Sequence, residues 1–121
     1  MNAKSAAACT LALGLSLLLS GNSLASEPCR TVHGRMSFYN GAPSVRIWIV
    51  GSKRVLGVHD GNYSDLSYLP ANVRTPWEGS GDVWSHSVYG DFRVCPLTPE
   101  HHGWMQIVRV ESGRNLRIQP N

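Results

Sequence analysis

Thr31-Val32-His33-Gly34-Arg35-Met36-Ser37-Phe38-Tyr39 alternates in character from one residue to the next. Val32, Met36 and Phe38 share one parity; His33, Arg35, Ser37 and Tyr39 share the other. A period of two with one apolar face is the pattern of a half-buried strand. Asn40-Gly41-Ala42-Pro43 ends it with a strong turn dipeptide. Ser44-Val45-Arg46-Ile47-Trp48-Ile49-Val50 follows as a second strand, with Val45, Ile47 and Ile49 on one side and Arg46 and Trp48 on the other. Gly51-Ser52-Lys53 is a short turn into Arg54-Val55-Leu56-Gly57-Val58, so the second and third strands form a hairpin.

Outward from this opening, the chain stays strand-like with one interruption. Residues 59–82 hold Gly61, Pro70, Pro76, Gly79 and Gly81 and show no sustained period, so they read as a long loop or as one that hides a short element, such as a small strand at Tyr68-Leu69-Pro70. Val88, Gly90, Phe92 and Val94 share a parity in a strand that runs into Cys95. After the proline-rich turn 96–103, Trp104 to Glu111 and Asn115 to Gln119 read as two strands separated by Ser112-Gly113-Arg114. Six or seven short strands, regular turns and no 3.6-residue pattern predict an all-β fold, a small antiparallel β-sandwich in a single domain over 26–121. Hydrophobic residues make up 42% of the 121, enough for a packed core, and the 16% charged residues exclude a disordered polyelectrolyte.

Residues 1–25 stand apart. Lys4 precedes an apolar run from Ala6 to Leu19, and Ser23-Leu24-Ala25 supplies small residues at the −3 and −1 positions. That order is a secretory signal peptide, and the run is too short for a stable membrane anchor. Export to the periplasm or beyond is therefore expected. Cys9 leaves with the signal, and Cys29 and Cys95 remain as an even pair in an oxidising space, which predicts one disulfide. Losing Lys4 lowers the formal charge from +3 to +2. So small a charge, with no basic run, gives no reason to expect nucleic acid as a partner.

The opening residues resemble a known group. Val32-His33-Gly34-Arg35, Asn40-Gly41-Ala42-Pro43 and Val45-Arg46-Ile47-Trp48 are similar to the first strands of transthyretin-like and carboxypeptidase regulatory-like β-sandwiches. Tyr89-Gly90-Asp91-Phe92-Arg93-Val94 resembles a later strand of the same group. The resemblance covers about half of the exported chain and implies the sandwich fold. The group's hydroxyisourate hydrolases end in a tyrosine-arginine-glycine-serine motif, whereas this chain ends Arg117-Ile118-Gln119-Pro120-Asn121, so no catalytic residue carries over. The chain also resembles small exported bacterial proteins, which implies nothing about mechanism.

Catalytic chemistry has little footing in the residues. His33, His59, His86, His101 and His102 lack the His-x-His or His-x-x-x-His spacing of a zinc site. Asp60, Asn62 and Ser64 match the start of a calcium loop, but Asp65 and Ala71 stand where it needs Gly and Glu, so an ordinary polar turn is expected. No Gly-x-Ser-x-Gly elbow is present. No metal and no cofactor are expected.

Binding is better supported. The exported part has nine arginines against one lysine, Lys53. Arginine makes forked contacts with carboxylates and stacks on rings. Arg35 and Tyr39 share a face of the first strand, and Arg46 and Trp48 share a face of the second, with Trp77, Trp84 and Trp104 as possible additions. The expected protein is a non-catalytic binding or accessory module for a protein, peptide or carbohydrate. The alternative is a small secreted hydrolase with its site under the 59–82 loop, built on His59 or His86 beside an acid.

Overall fold

A computed structural model describes residues 27–121; the segment read as a signal peptide, 1–25, lies outside them. The elements in chain order are β1 (Arg30–Phe38), β2 (Val45–Ile49), β3 (Val55–Val58), α1 (Ala71–Gly79), β4 (His86–Pro96) and β5 (Ile107–Pro120). β1 pairs antiparallel with both β2 and β4, β2 with β3, and β4 with β5. The start of β5 then lies parallel to β3, Gly57 opposite Ile107 and Val58 opposite Val108. That short parallel contact closes the sheet into a barrel of order β1-β2-β3-β5-β4.

The expected two-layer sandwich of six or seven strands is thus one closed sheet of five. The coarser expectation, a β-rich domain with one disulfide, is met. Strand order, the β3–β5 closure and a helix between β3 and β4 together give the topology of an OB barrel, a five-stranded Greek-key barrel. The resemblance to transthyretin-like proteins implied a different layering.

The alternating pattern does what its parity demands. Val32 and Met36 on β1, Val45 and Ile47 on β2, and Val88 and Phe92 on β4 are all buried inside the barrel. Two expectations failed for local reasons. The short element within residues 59–82 is the helix α1, and Tyr68-Leu69-Pro70 forms no strand. This helix has only nine residues, contains Pro76, and buries just Val73 and Trp77. One i, i+4 pair is too short a signal for a helical period. The second failure is the turn expected at 112–114: β5 runs straight through it. Its ladder with β4 shifts register twice, and Asn115 adopts φ 54° beside the second half of the strand. A bulged, bent strand replaces two short ones. Gly113 backs onto Val73 of α1, and Gly113 O accepts a hydrogen bond from the Asn72 side chain at 2.7 Å.

The Cys29–Cys95 disulfide forms as expected, and it fits an oxidising compartment. Arg30 pairs with Val94, so the bond adds one covalent step to the end of the β1–β4 ladder. No helix among the described residues is long and apolar enough to cross a membrane.

Gly34 marks the tightest point of the barrel wall. A Cβ there would run into the Ile47 side chain and lie 3.0 Å from the backbone oxygen of Trp48. Gly34→Ala is therefore expected to destabilise the fold by about 1–3 kcal/mol through overpacking. Urea unfolding measures it, and an unchanged midpoint would mean that β1 and β2 have room to separate.

Candidate functional site

The outer face of the barrel is set by register. Arg35 lies opposite Trp48 across the β1–β2 ladder, and its guanidinium sits 5.2 Å from the indole centroid. Arg46 of β2 reaches the ring of Tyr39, just past β1, at 4.6 Å, and its Nε donates to Pro43 O at 2.9 Å. Trp48 Nε1 donates to Ser52 O at 2.7 Å, which fixes the indole under Arg35. Each stack holds a flexible cation in a defined place and contributes about 0.5–1 kcal/mol at an exposed site. Neither Arg35 nor Arg46 has a carboxylate within ion-pair distance among the described residues. Arg35 Nε is also buried without a hydrogen-bond partner among the described residues.

Four of the seven residues named for the binding face, Arg35, Tyr39, Arg46 and Trp48, are brought together there. The other three are not. Trp77 is fully buried on α1, where Nε1 donates to His86 O at 2.8 Å. It fills the core because the short helix has one inward stripe, and Trp77 is half of it. Trp84 is 54% exposed but lies in the α1–β4 connection, edge-on to Phe38 with centroids 4.6 Å apart. Trp104 is 73% exposed in the β4–β5 connection, stacked on His101 at 4.4 Å.

Two connections converge on the outer side of β3. Gly57 has no side chain, and Pro43 from the β1–β2 loop and Met105 from the β4–β5 loop occupy the space that a Cβ would need. Beside Met105 opens a cleft of about 930 Å³ between the β2–β3 turn and the β4–β5 loop, lined by Lys53, Arg54, His101, His102 and Trp104 among others. Arg54 is engaged there by Glu100 at 3.0 Å and by the buried Gln106.

The opposite end of the barrel is acidic. A cavity of about 400 Å³ beneath residues 60–83 is lined by Asp60, Asp65, Glu78, Asp82, Tyr63 and Tyr68, with Phe38 as well. Burial, then the charges of Asp60 and Asp65, push the Tyr68 phenol up to about 12. Neither His59 nor His86 lines this cavity. The His59 ring accepts from Gly61 N–H at 3.1 Å, and His86 Nδ1 meets Ser85 Oγ and Asp82 O, not a carboxylate. The convergent base and acid required by a hydrolase site under this segment are thus not brought together among the described residues. Asp60 closes a turn by accepting from Asn62 N–H at 2.8 Å, as a polar turn should.

A histidine–carboxylate contact does exist elsewhere. His33 Nδ1 lies 2.9 Å from Asp91 Oδ1, and Asn115 donates to Asp91 Oδ2 at 2.8 Å. Hydrogen bonds from Asn115 and then His33 hold the Asp91 carboxyl below its usual range. The group is exposed on the barrel wall, with no nucleophile bonded to it among the described residues. Cys29, Cys95 and Glu111 also cluster at potential metal-ligand distance, but both sulfurs are in the disulfide.

The residues that the sequence reading missed on this face are Tyr89 and Arg117. Parity alone puts Tyr89 on the outside of β4, but only the register of β5 shows Arg117 beside it. No protein-family model, no curated protein and no solved structure matches the chain.

Proposed function

We propose that the chain is an exported, non-catalytic binding module whose β1–β2 wall takes up a carboxylate-bearing ligand on Arg35 and Arg46. One observation carries this reading. Both guanidiniums are held against rings, Trp48 and Tyr39, with no acid of the described chain paired to them. A stacked guanidinium uses its flat face and leaves N–H edges for a forked contact with a carboxylate. Export is supported by the charged, apolar and small-residue order of residues 1–25 and by the disulfide. The OB topology supports it only by analogy, since such barrels bind ligands on the β2–β3 side and its flanking loops.

The test is retention of the purified protein on immobilised carboxylate polymers. Arg35→Gln with Arg46→Gln is expected to weaken binding at least about tenfold, since charged hydrogen bonds contribute about 1.5–3 kcal/mol each. Thermal unfolding of the double variant should stay close to that of the parent. Equal retention of parent and variant, or no retention of either, would remove this reading.

A further inference from the structure

The cation and ring pairs do not stop at β1 and β2. Across the β1–β4 ladder Arg35 stands opposite Tyr89, and across the β4–β5 ladder Tyr89 stands opposite Arg117. Arg117 lies over the Tyr89 ring at 5.8 Å from its centroid. One row therefore crosses four strands in the order Trp48, Arg35, Tyr89, Arg117, alternating ring and cation. Like Arg35, Arg117 has no ion-pair partner among the described residues. The row leads away from β3, around the other side of the barrel.

We infer that this row is a track for a linear acidic polysaccharide, laid across β2, β1, β4 and β5, with a carboxylate on about every second sugar. The inference rests on the proposed role of Arg35 as a carboxylate contact and names the ligand class. Arg35 and Arg117 are two strand steps apart, about 10 Å. A chain that bends round the barrel wall with widely spaced carboxylates can set one on each fork, whereas the adjacent charges of a dense polyanion do not match that spacing. The neighbouring row reinforces the choice. His33, Asp91 and Asn115 run alongside, one pleat period away, and offer donors and acceptors to sugar hydroxyls. The rings of Trp48 and Tyr89 are covered by arginines and so are poor platforms for nucleobases. An acidic peptide would gain most from pairing with a free strand edge, and a closed barrel has none.

Titration calorimetry with three probes tests it: an octasaccharide alternating uronate and neutral sugar, an oligoglutamate of equal charge, and a single-stranded oligonucleotide. The parent is expected to bind the octasaccharide most tightly. Arg117→Gln, at an exposed position outside the β1–β2 wall, is expected to weaken that binding about tenfold or more and to leave binding of a disaccharide of the same repeat unchanged. If Arg117→Gln binds the octasaccharide like the parent while Arg35→Gln does not, the track is wrong and the β1–β2 site survives. If oligoglutamate binds as well as the sugar, or the oligonucleotide binds better, the ligand class is wrong. If no probe binds the parent, the carboxylate-binding reading itself falls with it.

Discussion

Cys95→Ser is expected to lower the melting temperature by roughly 15–30 °C in oxidising buffer. The bond spans 66 residues of chain. Closing such a loop removes unfolded-state entropy worth roughly 4 kcal/mol. A domain of this size shifts its midpoint by about 4–8 °C for each kcal/mol. Net stability of such domains is only about 5–15 kcal/mol, so the clamp is a large share of the total. Cys29 sits just before β1 and Cys95 near the end of β4, so the bond pins the ladder that joins the β1–β2–β3 part to the rest of the barrel. Differential scanning calorimetry checks the size of the effect. The parent treated with a reducing agent should melt with the double Cys29→Ser, Cys95→Ser variant, which separates loss of the bond from damage by a free thiol. A shift of only a degree or two would show that the β1–β4 ladder holds without its clamp.

Trp77→Ala should destabilise the fold by about 3–5 kcal/mol, as for other buried Trp or Phe truncations. The indole is fully buried and ties α1 to the start of β4 through its bond to His86 O. Truncation leaves a cavity and an unsatisfied carbonyl together. The nine-residue helix, with a proline in its sixth position, has little stability of its own. Its place on the barrel depends on Val73 and Trp77. Guanidinium unfolding followed by circular dichroism gives the loss, and Trp77→Phe should recover much of the packing without the hydrogen bond. A loss below about 1 kcal/mol would mean that α1 is not held by this side chain.

The two predictions fall on opposite sides of what the residues disclose in order. The disulfide is legible because the residues after the expected signal segment hold an even pair of cysteines, which leaves one pairing. The strands β1 to β3, their hairpin and the inward parity of Val88, Phe92 and Val94 are legible because a strand with one wet face must alternate. Trp77 is not legible: a ring in a proline- and glycine-rich stretch reads as surface until a helix is known to carry it inward. The straight run of β5 through Ser112-Gly113-Arg114 hides for a similar reason, since a bulge and a turn use the same residue types.

The proposed binding face divides in the same way. Arg35 with Tyr39 and Arg46 with Trp48 are paired by parity within single strands, so their common face follows from sequence. That Arg35 stacks on Trp48 and Arg46 on Tyr39 depends on the β1–β2 register, and Arg117 enters only through β5. Local order determined which residues face outward, which cysteines bond and that the domain is built of strands. Only the closure of the sheet, through the β3–β5 contact, decided barrel over sandwich. Alternation records on which side of a strand each residue lies, and it carries no information about which strand comes next to it in space.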